Sequence, residues 1–157
     1  MSQTITAPEH TITRAELIDR LNEDLAREYQ AVIGYVVYSQ VLKGAEYMTI
    51  AKELEKHASE ELDHAMRISK HIDYLGGMPA VTPRAVKQSD DAVTMLRADL
   101  QNESDTIRAY TERVGQCEAL AEYAIAEDIR EILRQEQEHL IDLATALGEN
   151  PPNLTKR

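Results

Sequence analysis

Residues 50–75, IAKELEKHASEELDHAMRISKHIDYL, decide the fold. Ile50, Leu54, His57, Glu61, His64, Ile68, His71 and Leu75 recur at strict steps of four and three, the period of one helix face and not the two-residue alternation of a strand. Ionisable residues sit in the middle of this otherwise apolar stripe. A buried carboxylate is costly unless it is protonated, paired or bound to a metal. Gly76-Gly77-Met78-Pro79 ends the run, and Pro83 lies in the same loop.

Three more stripes flank it. Thr13-Arg-Ala-Glu16 has the form of a capping box and opens a helix carrying Leu17, Leu21, Leu25, Glu28, Val32, Tyr35 and Leu42, with Gly44 as its break. A third helix is expected from about Ser89-Asp90-Asp91, with Val93, Leu96, Leu100, Glu103, Ile107, Tyr110 and Val114 on one face. Gly115 and the residues just after it are the next weak point. The fourth stripe is Ile125, Ile129, Ile132, Glu136, His139, Leu143 and Leu147, closed by Gly148 and then Pro151-Pro152. No segment alternates with period two. The expected architecture is all-α: a four-helix bundle over 13–148, between an N-terminal tail (1–12) and a C-terminal tail (149–157).

The 157 residues suffice for one core without staples. The single cysteine, Cys117, excludes a disulfide scaffold and is expected to be inert near a helix end. No apolar run approaches the ~20 residues of a membrane span, and no secretory leader is visible, so a cytoplasmic protein is expected. With 28 acids against 17 bases the net charge is −11, which excludes the basic footprint of a nucleic-acid binder and suits cation uptake.

The internal polar residues form a pattern. Glu61-x-x-His64 and Glu136-x-x-His139 each put a carboxylate and an imidazole on one helix face. Glu28 and Glu61 are 33 residues apart, as are Glu103 and Glu136, and an offset of 75 maps Glu28, Tyr35, Glu61 and His64 onto Glu103, Tyr110, Glu136 and His139. This is an internal repeat. Its midpoints, residues 44–45 and 119–120, are where two helical hairpins would turn, placing each pair of carboxylates at equal height. No Lys or Arg lies on the stripes to balance four glutamates. Four carboxylates and two imidazoles match two divalent cations in charge and in donor hardness.

These residues, with LNEDLAREYQAVIGY (21–35), EELDHA (60–65), LRADLQNE (96–103) and EILRQEQEH (131–139), resemble the ferritin superfamily, and within it bacterioferritin-like proteins, over about residues 13–147. The resemblance implies two iron ions per subunit, with manganese or zinc as possible replacements. Glu28 and His64 would hold one ion, Glu103 and His139 the other, and Glu61 and Glu136 would bridge them, with Tyr35 beside the centre. It also implies that the 76–89 loop is a long crossover that makes the second and third helices parallel.

Several positions depart from the family pattern. Leu62 stands where bacterioferritins carry a haem-binding Met, so haem is not expected, and Met66 is a poor substitute one turn on. No fifth helix follows Gly148, which favours a homo-oligomeric cage of 12 subunits over one of 24. Thr106 replaces the extra glutamate of rubrerythrins, the rubredoxin-type cysteines are missing, and Cys117 lacks the partner of thiol-bearing cage relatives.

The expected function is a ferroxidase that oxidises Fe(II) with O₂ or H₂O₂ and stores or detoxifies the product. A dinuclear Mn/Fe enzyme that consumes peroxide or oxidises a small substrate, and a structural metal-binding helical module without catalysis, are the alternatives. His57 and His71 read either as supporting or access residues of the site or as ordinary hydrogen-bonded histidines. Tyr35 and Tyr110 read either as donors to ligand carboxylates or as amphipathic core residues. Glu60, Asp63 and Asp142 fit a solvated helix face better than an iron-collecting surface.

Overall fold

The computed structural model describes residues 11–155, so the expected tail over 1–12 falls, for its first ten residues, outside the described part. Helix α1 spans Arg14–Val41, a 3₁₀ turn spans Ala45–Tyr47, and α2 spans Met48–Tyr74. Helices α3 and α4 span Ala92–Ala119 and Tyr123–Ala146. No strand occurs among the described residues.

The helix ends follow from local chemistry. Thr13 Oγ1 accepts from Glu16 N–H at 3.2 Å while Glu16 Oε2 accepts from Thr13 N–H at 2.7 Å, a reciprocal cap that satisfies two otherwise orphaned donors. Asp91 caps α3 by accepting from Thr94 N–H at 2.8 Å. Gly148 follows α4 in the left-handed region, with φ of 72°. The turn between α3 and α4 falls at residues 120–121, beside the expected midpoint of 119–120 and a few residues past the weak point at Gly115. Gly115 lies inside α3, which runs on to Ala119 and turns through Ala121 at φ 58°. Isolated glycine lowers helix propensity without ending a helix whose buried face continues, here to Cys117.

The connection between α2 and α3 tracks α1 along its length. Ala80 N–H donates to Asn22 Oδ1 at 2.7 Å, Arg84 N–H to the Ala26 carbonyl at 3.0 Å, and Gln30 Nε2 to the Ala85 carbonyl at 2.7 Å. Near the far end of α1, Tyr38 Oη donates to the Lys87 carbonyl. The chain leaves α2 at one end of the bundle and starts α3 at the other, so α2 and α3 are parallel and each is antiparallel to α1. Gly77 permits the departure, because a Cβ there would stand 2.5 Å from Ile18 Cγ2.

Two apolar plugs fill the bundle. One gathers Leu17, Leu21, Leu25, Ile68, Ile72, Ile125, Ile129 and Ile132. The other gathers Tyr38, Leu42, Ile50, Leu54, Met95, Leu96 and Leu143. Burying each Leu or Ile contributes roughly 1.5–3 kcal/mol. The internal polar residues lie between the plugs, away from bulk water and on rigid helices.

The buried face is wider than the stripes suggest. Val93 is exposed, whereas Asp24, Asp99, Ser104, Arg113 and Cys117 are buried. Arg113 Nε donates to Asp24 Oδ2 at 2.7 Å, a fully buried ion pair between α1 and α3.

Candidate metal centre

Six side chains converge between the plugs: Glu28 from α1, Glu61 and His64 from α2, Glu103 from α3, and Glu136 and His139 from α4. All six are buried to 3% exposure or less. They form two overlapping groups, Glu28/Glu61/His64/Glu136 and Glu61/Glu103/Glu136/His139, in each of which one ligand atom per residue lies within 4.8 Å of the others. Glu61 and Glu136 belong to both. His64 Nδ1 stands 3.1 Å from Glu61 Oε2 and 3.2 Å from Glu136 Oε1. His139 Nδ1 stands 3.0 Å from Glu61 Oε1 and 3.3 Å from Glu136 Oε2.

Both imidazoles therefore present Nδ1 to the cluster, and their outer nitrogens are fixed from behind. His64 Nε2 is 2.7 Å from Gln135 Oε1, and His139 Nε2 is 2.7 Å from Glu60 Oε2. Such contacts orient a ligand ring and set which nitrogen carries the proton. Tyr35 Oη donates to Glu103 Oε1 and Tyr110 Oη donates to Glu28 Oε1, so each tyrosine crosses between α1 and α3 to hold a carboxylate. Of the two readings of these tyrosines, the structure has the carboxylate donors.

The electrostatics show a site held together by protons when no cation is present. Burial disfavours charge on His64, but Glu136, Glu28 and Glu61 outweigh it and hold its pKa far above the ordinary value. His139 behaves alike: burial opposes the charge, while Glu136 and Glu61 push its pKa up to about 12. Burial also acts against the Glu61 carboxylate, yet His139 and His64 reverse it and hold the group well below the usual range. Glu28 and Glu103 go the other way, pushed up by burial and then by the charges of Glu136 and Glu61.

Glu28 Oε2 and both oxygens of Glu136 are buried without a hydrogen bond. Unsatisfied carboxylate oxygens aimed at a shared centre are costly unless a cation completes them, so the donor set fits divalent ions. The cavity among the carboxylates holds about 10 Å³, room for no more than one water, and it is lined on the α1/α3 side by Arg27, Gln30, Asn102 and Thr106.

Beside the six residues stand contacts the stripes left open or missed. His57 is 1% exposed and stacks on His139 with ring centroids 3.9 Å apart, and its Nε2 is 3.0 Å from Asp142 Oδ2. Asp142 and Glu60 each meet a histidine of this region, where a solvated face was the better expectation. His71 is remote from the cluster and pairs with Asp128 at 2.6 Å. Glu60 and Gln135 were findable: the offset of 75 maps one onto the other. The same offset relates Asp24 to Asp99, and Tyr38 to Arg113. Cys117 is fully buried, and burial pushes its thiol up to about 11, in keeping with an inert residue.

Known proteins share this arrangement of helices. The chain is 30% identical to the bacterioferritin of Brucella melitensis over 143 residues, covering 85% of this chain and 88% of that protein. A ferritin-like di-iron-carboxylate protein from Bacillus anthracis superposes with a TM-score of 0.82 at 32% identity, covering 88% of this chain and 99% of that one. A dodecameric thioferritin, the bacterioferritin-related protein of Bacteroides fragilis, superposes with a TM-score of 0.80 at 29% identity over 88% of each chain. No helix among the described residues is long and apolar enough to cross a membrane. The sequence profile of the ferritin-like domain matches residues 18–150, and the chain belongs to the ferritin-like family.

Proposed function

We propose that this chain is a ferroxidase that takes up Fe(II) at an intra-subunit dinuclear centre and passes the ferric product on for storage. The observation that carries the reading is the pair of four-residue groups sharing Glu61 and Glu136. Glu28 and His64 hold one Fe(II), Glu103 and His139 hold the other, and the shared glutamates bridge them. Each Fe(II) gives up one electron. O₂ accepts both with two protons and leaves as hydrogen peroxide, and two Fe(III) remain.

The protein supplies position and charge. Four carboxylates balance two dications and still attract the more highly charged product, which limits the cost of oxidation inside a buried site. Tyr35 and Tyr110 keep Glu103 and Glu28 turned toward the centre, as positioning residues. The apolar plugs above and below exclude water from it.

The test is the double substitution Glu61→Ala with Glu136→Ala, given Fe(II) in air and followed by ferric absorbance in the near ultraviolet. Fast oxidation disappears while the helical circular dichroism stays. Oxidation at the unsubstituted rate would disprove the assignment. The assembly that fits best is a cage of 12 copies, supported by the dodecameric relative and by Ile33, Val36, Leu62 and Met66 exposed on α1 and α2. Native mass measures it.

A further inference from the structure

Outside the six ligands, Glu53 and His57 on α2 and Asp142 on α4 also bring one ligand atom each within 4.8 Å of one another. His57 is almost wholly buried, with its Nε2 directed at Asp142. Asp142 is partly exposed and has no partner other than His57 among the described residues, and Glu53 has no hydrogen bond or ion pair there. Two carboxylates and an imidazole, open to solvent on one side, form a hard oxygen/nitrogen set with room for water ligands.

We infer that Glu53, His57 and Asp142 form a third divalent-cation site on the α2/α4 face, through which cations reach the His139 side of the dinuclear centre. The second role rests on the dinuclear reading above. Position supports it, since His57 stacks directly on His139, and Glu60, which holds His139 Nε2, groups with both rings. The opposite approach, between α1 and α3, passes the Arg27 guanidinium, which repels a dication. The α2/α4 face offers three carboxylates, Glu53, Glu60 and Asp142, against one cation, Lys56, which pairs with Glu60 at 3.6 Å.

The site is built to bind weakly. A cation on His57 Nε2 leaves the ring proton on Nδ1, which is buried and has no hydrogen-bond partner. An ion held there is released readily toward the stronger cluster.

The test is anaerobic titration with Co(II), read by its visible absorption and by equilibrium dialysis, on the protein and on Glu53→Gln with Asp142→Asn. The unsubstituted protein binds three Co(II) per chain, the third at least tenfold more weakly than the first two. The double variant binds two, with the tight pair unchanged within twofold. Crystals grown with Co(II) show an anomalous peak beside His57. Saturation at two ions in the unsubstituted protein, or a third ion retained by the variant, overturns the third site and leaves the dinuclear centre standing. A protein that binds no Co(II) overturns both.

Discussion

Loading the centre with divalent cations releases at least two protons per chain at neutral pH. Without metal, His64 and His139 are held protonated by the carboxylates around them, while burial and the charges of Glu136 and Glu61 raise Glu28 and Glu103. Ligation needs both Nδ1 lone pairs, so the two imidazole protons must leave, one for each cation. One proton per ion gives each apparent dissociation constant a dependence of about tenfold per pH unit, with binding tightening as pH rises. The assay is anaerobic Zn(II) addition in weakly buffered solution with a pH indicator, checked by calorimetry in buffers of different ionisation enthalpy. Glu28→Gln leaves its hydrogen bond to Tyr110 possible and leaves both imidazole protons to be released. Release of less than one proton per ion refutes the reasoning.

Further substitutions test the scaffold and its asymmetry. Gly115→Ala raises stability by about 0.5–1 kcal/mol, read from urea unfolding, because the position is helical and a Cβ there meets nothing within 4 Å. Arg113→Ala lowers stability by about 1.5–3 kcal/mol by leaving Asp24 with Arg27 as its one cationic partner among the described residues, and loss under 1 kcal/mol in the same urea experiment contradicts the buried pair. Asp99 is raised by burial and then by Glu61, so the folded state binds its proton more tightly than the unfolded chain does. Stability therefore falls as pH rises above the unfolded carboxylate value of about 4 and levels off beyond the folded one. Asp99→Asn removes that slope, raising the melting temperature at pH 7 but not at pH 4, and an equal change at both values counts against it. Glu60→Gln gives both ligand histidines an amide partner, and the two tight Co(II) constants converge on one value, whereas a purely structural role weakens both alike and keeps their ratio.

The fold was legible because each stripe repeats at a helical period and because the helix boundaries carry their own chemistry at Thr13, Asp91 and Gly148. The turn between α3 and α4 was legible from the 119–120 midpoint of the repeat and not from Gly115, since a glycine does not end a helix whose buried face continues, here to Cys117. The six clustered residues stood out as charges without counter-charges, and the 75-residue offset tied them into two halves. Arg113 and Asp99 were harder to see, because each lies beside a stripe and reads as a solvated charge until helix packing widens the buried face.

The offset carries one step more. A duplicated hairpin should give two equal halves, and the inner six residues nearly do. The differences lie one layer out. Asp24 is neutralised by Arg113 and further paired with Arg27 at 2.8 Å, while its counterpart Asp99 faces Tyr38 and keeps a buried oxygen with no hydrogen bond. His139 leans on the carboxylate of Glu60, and its counterpart His64 on the neutral amide of Gln135. A carboxylate behind an imidazole makes that ring a stronger donor than an amide does, so two cations in chemically similar cages experience different fields. Matching ligands in the inner layer fix two sites of one kind, and mismatched supports in the next layer make them unequal. Sequence periodicity reports the first because ligands sit on the stripe, and it is silent on the second because Glu60 and Gln135 sit beside it.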